Sequence, residues 1–134
     1  MHAMKNRRRS VLIAESNRTL AQSLRLQLEE MGLQVFVAHD GEQAAILAAR
    51  QRFQLIIASL ELSGRGGSEL CRHVREDLRL TEVPIVVTAA AESESDARSL
   101  VYRHGVCRVI TPATNTEAIV DAAQESIEYL VAAM

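Results

Sequence analysis

The chain has 134 residues, enough for one compact domain and too few for two. Hydrophobic residues make up 48% and aromatics only 3%, with no Trp, so any core must be built from Leu, Ile, Val and Ala. A formal net charge of -2 gives no overall pull toward nucleic acid or an anionic membrane, and no apolar run approaches the roughly 18 residues of a bilayer span.

Residues 1–9 are polar, with Lys5, Arg7, Arg8 and Arg9 clustered. They read as a disordered basic leader or a cloning scar, with 10–134 as the domain. A basic arm touching nucleic acid is the sharper reading of the same residues, but nothing else nearby is basic. Ser10-Val-Leu-Ile-Ala14 reads as a short buried strand, with Glu15, Ser16 and Asn17 at its carboxyl end. From Arg18 to Met31 the spacing of Leu20, Leu24, Leu28 and Met31 predicts one buried helix face. Gly32 suits the residue after that helix. Leu33 to Ala38 predicts a second strand. Asp40 is placed to cap a helix through Gln51 whose inner face is Ala44, Ala45, Leu47 and Ala48, small enough to lie close to a sheet.

Leu55 to Leu60 is a nearly continuous apolar run broken by Ser59, and it enters a turn containing Gly64, Gly66 and Gly67. A run this short and apolar predicts a strand covered on both faces. A helix follows from about Ser68 to Glu76, with Leu70, Cys71 and Val74 inward. Glu82 to Thr88 is the fourth strand, with Pro84 tolerable near its start. Ser93 to His104 predicts a helix that Gly105 stops, and Cys107 to Thr111 a fifth strand. Thr114 and Glu117 have the spacing of a capping box for a last helix to about Val131, with Ile119, Ala122, Ala123, Ile127 and Leu130 inward.

Strands alternating with helices demand crossover connections, hence an α/β fold with a parallel sheet between two helical layers. Ligands and chemistry in such folds sit beyond the carboxyl ends of the strands. Those ends gather Glu15, Ser16, Ser59, Thr88 and Thr111, all neutral hydroxyls except Glu15. Pro112 follows Thr111, and a Thr-Pro bond can be cis in a tight turn.

The chain resembles the receiver domains of bacterial response regulators of the chemotaxis-regulator type. The resemblance rests on Val11-Leu-Ile-Ala-Glu15, Ala38-His-Asp-Gly-Glu42, Gln54-Leu-Ile-Ile-Ala-Ser59 with its glycine turn, Val83-Pro-Ile-Val-Val-Thr88-Ala89, and Thr111-Pro112. It covers about Ser10 to Ala133. It implies a flavodoxin-like (βα)5 three-layer sandwich with strand order 2-1-3-4-5. It also implies two-component or phosphorelay signalling, in which an aspartate ending the third strand accepts a phosphoryl group from a histidine kinase beside Mg²⁺. By position, Glu15 and Ser16 take the place of the family's acidic pair, Ser59 that of the acceptor aspartate, and Thr111 that of a lysine. Thr88 keeps the family's hydroxyl, and Glu61 supplies a metal-facing carbonyl. The aromatic switch position falls on Arg108 or Val109.

The resemblance together with these departures implies a degenerate receiver, a pseudo-receiver lacking the acceptor aspartate. Such a domain acts through protein contacts, without phosphorylation, cofactor or resident metal, although Glu15 with Glu61 leaves room for a weak cation site. The plainer reading of Glu15 is a lone acid capped by backbone N–H groups or by Thr111. That of Ser59 is a hydroxyl satisfied locally rather than a serine phosphosite. Cys107 reads as a turn residue, Cys71 as core, and His39, His73 and His104 as solvated. Two cysteines without metal spacing and no secretory signal suggest a cytoplasmic setting.

The resemblance places partners on the face formed by the fourth helix, fifth strand and fifth helix. Here that face offers Tyr102, Arg103 and Arg108 beside Glu117, Asp121 and Glu125. The expected occupants are a histidine kinase, an output domain, another regulator or a second copy, with neither nucleic acid nor membrane bound. The sequence leaves open an output domain elsewhere in a longer chain. The alternative is a small flavodoxin-like enzyme binding FMN or a nucleotide, but the loop Glu15-Ser-Asn-Arg-Thr19 has no glycine to bring N–H groups onto a phosphate.

Overall fold

The computed structural model describes residues 9–133, with side chains through residue 128. Five parallel strands form one sheet in the order β2-β1-β3-β4-β5: β1 (Ser10–Ala14), β2 (Gln34–Ala38), β3 (Leu55–Ser59), β4 (Ile85–Thr88) and β5 (Arg108–Ile110). The chain runs outward from β1 to β2, then crosses back to β3 on the other side of β1. The topological switch point, where such folds bind ligands, is therefore the β1/β3 junction.

The helices are α1 (Arg18–Glu30), α2 (Gly41–Arg50), α3 (Gly67–Arg72), α4 (Glu94–His104) and α5 (Thr116–Ala133). The period of two sorts the strand residues cleanly. Val11 and Ile13 pack with Ala21, Leu24 and Leu28 of α1 and with Ile119, Ala122, Ala123 and Ile127 of α5. Leu12 and Ala14 face the other way, onto Ala44 and Ala48 of α2, Leu70 of α3 and Val74 just beyond it, and Ala97 and Leu100 of α4. Both faces of the central strands are thus covered, which is why β1, β3 and β4 are buried throughout and, apart from the terminal Ser10, Ser59 and Thr88, apolar rather than alternating.

Local signals fixed several ends. Asp40 accepts from the Gln43 N–H at 2.8 Å, as expected of a cap. After α1 the chain makes a Schellman turn. Leu33 N–H reaches the Leu28 carbonyl, Gly32 N–H reaches that of Glu29, and Gly32 takes the left-handed φ of 87° that the turn requires. The Thr111–Pro112 bond is cis.

Other expectations are corrected. Met31 is exposed rather than buried, because α1 ends one residue earlier and turns it toward solvent; the buried residues of α1 are Ala21, Leu24 and Leu28. The capping box at Thr114 does not form; the Asn115 side chain caps α5 instead, accepting from the Ala118 N–H at 3.1 Å. β4 begins at Ile85 rather than Glu82, since Pro84 has no N–H for the ladder. The third helix continues past Arg72 as a π-helical turn, His73–Asp77, closed by the Leu78 N–H on the His73 carbonyl at 2.9 Å.

His104 is buried, not solvated. It lies in the last turn of α4, and the adjoining Arg75 guanidinium covers that helix end by bonding its carbonyls. The inward placement of Leu130 concerns a side chain outside the described residues, as do residues 1–8 of the leader. Among the described residues no helix is long and apolar enough to cross a membrane.

Candidate functional site

The carboxyl ends of the strands bring the foreseen residues together. Ser59 and Thr88 are register partners on β3 and β4, and the Leu60 N–H closes the ladder on the Thr88 carbonyl at 2.8 Å. Glu15, Ser59 and Thr88 each stand two residues beyond Ile13, Ile57 and Val86, so they belong to the sheet face that α1 and α5 cover. All three are buried: Thr88 is 2% exposed, Ser59 4% and Glu15 8%. Chain ends that are this dry hold hydroxyls at little cost, but they hold a carboxylate only with donors around it.

Glu15 has such donors in part. Its own N–H extends the β1–β2 ladder onto the Ala38 carbonyl at 2.9 Å, and its Oε2 accepts from the Asn17 N–H at 2.9 Å. Burial nevertheless pushes its pKa above the ordinary carboxylate value, with the nearby Glu61 charge adding to the rise; the Asn17 N–H works against both. Backbone capping is therefore what the structure provides for Glu15. Thr111 does not take part, because its hydroxyl donates to Glu94 Oε1 at 3.2 Å. Glu61 is also engaged elsewhere, accepting from the Ala90 N–H at 3.3 Å.

Among the described residues no three His, Cys, Asp or Glu side chains converge as metal ligands. Magnesium takes hard, charged oxygens in a near-octahedral array. One buried carboxylate with a raised pKa and a second one turned to a backbone N–H do not fit that ion. Asn17 Oδ1 caps α1 through the Leu20 N–H at 3.0 Å, so the helix end that a cofactor phosphate would use is already occupied by a side chain.

Ser16 does something the sequence did not suggest. Its Oγ accepts from the Ser63 N–H at 2.8 Å and lies 3.0 Å from the Ser63 Oγ. Ser63 in turn accepts the Gly41 N–H on its carbonyl at 2.8 Å, and its hydroxyl donates to the His39 carbonyl at 3.4 Å. The His39 Nδ1 donates back to the Glu15 carbonyl at 3.2 Å. Ser16, His39 and Ser63 thus tie together the loops after β1, β2 and β3. His39 is accordingly half-buried rather than solvated. The serine-rich and glycine-rich composition of the 59–67 turn was visible in sequence, but its partners, 24 and 47 residues away, were not.

The glycine turn has a steric reason as well. A Cβ on Gly67 would stand 2.2 Å from the Ser59 carbonyl oxygen and 2.8 Å from the Leu60 Cα. α3 therefore starts directly against the end of β3, and only glycine permits it.

The remaining singled-out residues lie away from this site. Tyr102 is 91% exposed on α4, Arg103 is exposed beside it, and exposed Arg108 on β5 pairs with Glu125 of α5 at 2.7 Å. Val109 is half-buried opposite Val87. Cys71 is fully buried, and burial pushes its thiol up to about 12. Cys107 is exposed, yet its thiol too is raised, chiefly by desolvation.

The fold has many solved counterparts. The chemotaxis response regulator CheY4 of Vibrio cholerae matches with a TM-score of 0.79 at 22% identity, covering 90% of this chain and 99% of that one. The receiver domain of the Francisella response regulator 1452 matches with a TM-score of 0.79 at 18% identity, over 91% of this chain and 98% of that one. The receiver domain of the sensor histidine kinase PA1611 from Pseudomonas aeruginosa PAO1, whose active site cleft holds a magnesium ion, matches with a TM-score of 0.73 at 24% identity, over 91% and 99%. The model of the response regulator receiver domain matches residues 11–124, most of the chain. With the strand order in agreement, the chain belongs to the response regulator receiver domain family.

Proposed function

We propose that this receiver domain works as a protein-binding module of cytoplasmic two-component signalling that accepts no phosphoryl group on an aspartate. The observation that carries the reading is Ser59. It ends β3 at the position corresponding to the family's acceptor aspartate, 4% exposed and paired in register with Thr88. A serine hydroxyl is neutral and needs a base to become a nucleophile. The adjacent acid, Glu15, is bonded to the Asn17 N–H and disfavours its charged form. Ser16, in the place of the second acid, is tied to Ser63. Thr111, in the place of the lysine, brings no cation to stabilise transferred charge.

The loops after β1 and β3, two of those that would handle a phosphoryl group, are thus tied to each other and to the loop after β2 by neutral hydrogen bonds, which suits a domain that presents one surface. That surface is the α4–β5–α5 face, where Tyr102 stands out into solvent with Arg103 beside it, and Arg108 and Glu125 form a mixed-charge pair. A histidine kinase, an output domain, another regulator or a second copy would dock there, with Tyr102 as the aromatic anchor. No nucleic acid or membrane enters this reading.

The test is two-dimensional NMR of the whole chain, first with Mg²⁺ and then with beryllofluoride, a phosphoryl mimic. No saturating shift at Glu15, Ser59 or Thr88 is expected. Saturating shifts at those three residues, or a stable phosphorylated form after incubation with a small phosphodonor, would overturn it.

A further inference from the structure

A cleft of about 420 Å³ opens at the amino-terminal end of the sheet, the end opposite the site described above. Its volume lies in the range of small-molecule sites, roughly 300–1,000 Å³. Phe53, Leu80, Val83 and Pro84 give it an apolar lining, and Arg52, Arg79 and Glu82 also line it, all three exposed. Neither arginine makes an ion pair among the described residues, and Glu82 pairs with neither. The rim therefore carries one net positive charge over an apolar wall.

The rim is also held in an uncommon shape. Arg79 has a φ of 57°, the one non-glycine residue in the left-handed region among those described. For an L-residue that costs about 1–2 kcal/mol, and it persists only where neighbours enforce it. They do so here. The Leu78 N–H closes the π-helical turn on His73, and the Leu80 N–H bonds the Val74 carbonyl at 2.9 Å. The Arg75 Nη1 bonds the Leu80 carbonyl at 2.7 Å. Arg79 is thereby presented between two anchored neighbours.

We propose that this cleft binds a small organic anion: a flat apolar body against Phe53, Leu80 and Val83, with one carboxylate, sulfonate or phosphate at the Arg52–Arg79 rim. Guanidinium forks suit such groups, and partial desolvation over the apolar wall strengthens the pairing. The chain's own leader, with Lys5, Arg7, Arg8 and Arg9, has the wrong sign for this rim.

The probe is 8-anilinonaphthalene-1-sulfonate, followed by fluorescence and by NMR on the full chain, with uncharged N-phenyl-1-naphthylamine as its counterpart. One saturable site is expected, with shifts confined to residues 51–56 and 79–84. Arg52→Gln combined with Arg79→Asn, a residue that tolerates the left-handed backbone, should weaken the sulfonate on the order of tenfold and leave the neutral probe unchanged. Adding salt to the parent protein should weaken the sulfonate alone. The absence of saturation, equal weakening of both probes, insensitivity to the double substitution and to salt, or shifts at the Glu15 end of the sheet would each overturn the assignment.

Discussion

The Ser16 Oγ takes the Ser63 N–H at 2.8 Å and meets the Ser63 Oγ at 3.0 Å, joining the loop after β1 to the loop after β3 across 47 residues of chain. Both bonds are neutral and partly exposed, so each is worth about 1 kcal/mol or less. Ser16→Ala should therefore cost about 1 kcal/mol in urea unfolding. It should also speed amide exchange at Ser63 and at Gly41, whose N–H bonds the Ser63 carbonyl. Unchanged exchange at both amides would show that the tie does not hold the loops.

Restoring acids tests the proposed loss of phosphorylation chemistry from the opposite direction. Ser16→Asp with Ser59→Asp would set two new carboxylates beside Glu15. Without metal the double variant should be less stable by about 1–3 kcal/mol, because Ser59 is 4% exposed and like charges would crowd the strand ends. Mg²⁺ should return that stability by binding only the folded form. Thermal unfolding with and without millimolar Mg²⁺ measures both effects, and the parent protein should not respond. A parent that gains as much from Mg²⁺ as the variant would contradict the reading.

Glu15 makes stability depend on pH in a defined direction. Its folded pKa is raised, so between the ordinary carboxylate value of 4.5 and the raised value the folded chain holds more protons than the unfolded one. Stability therefore falls as pH rises through that window, and the penalty is complete above it. Glu15→Gln, which keeps an oxygen for the Asn17 N–H, should be more stable than the parent at pH 7 and level with it below pH 4.5. Denaturation midpoints at the two pH values decide this, and an equal gain at both would exclude the charge as the cause.

Arg75 and His104 divide the work between the π-helical turn and α4 unequally. The Arg75 guanidinium bonds the carbonyls of His104 at 2.7 Å, Leu80 at 2.7 Å and Gly105 at 3.1 Å. Arg75→Ala should cost about 2–3 kcal/mol, and Arg75→Lys should recover little of it, since an ammonium lacks the planar fork. Among the described residues the buried His104 Nδ1 has no hydrogen-bond partner, and it lies 3.8 Å from Glu76 Oε2. His104→Leu should thus be neutral or stabilising by about 1 kcal/mol. Chemical denaturation of the three variants would rank them; a large loss for His104→Leu would mean that the ring is better satisfied than its surroundings suggest.

Gly67→Ala should be the most damaging of these changes. Its Cβ would sit 2.2 Å from the Ser59 carbonyl oxygen, and backbone cannot swing aside as a side-chain tip can. A cost of about 3 kcal/mol or more is expected, with NMR shifts centred on Ser59 and Leu60. Gly66→Ala makes a useful contrast, because among the described residues nothing beyond its immediate chain neighbours lies within 4 Å of its Cβ, and its φ of 83° is what opposes the change.

Much of the architecture was legible because it rests on local patterns. The apolar runs Val11–Ala14 and Leu55–Ala58 are unbroken because both faces are covered, and Asp40 and Gly32 mark helix ends by chemistry that acts within a few residues. Elsewhere the local signal misled, through a competing local cap or through longer-range packing. Thr114 and Glu117 have capping-box spacing, yet the neighbouring Asn115 caps the helix. His104 reads as a surface residue, yet α4 turns it inward.

The same division holds for the site. Which residue types end the strands follows from the order of amino acids alone, because a parallel sheet delivers its carboxyl ends to one edge. Whether Glu15 is bonded by Asn17 or Thr111, that Ser16 is engaged by Ser63, and that Gly67 must be bare were decided by tertiary contacts. Hydrogen bonds and steric limits act over about 3 Å in space, and loops far apart in the chain come within that distance only after the sheet has formed.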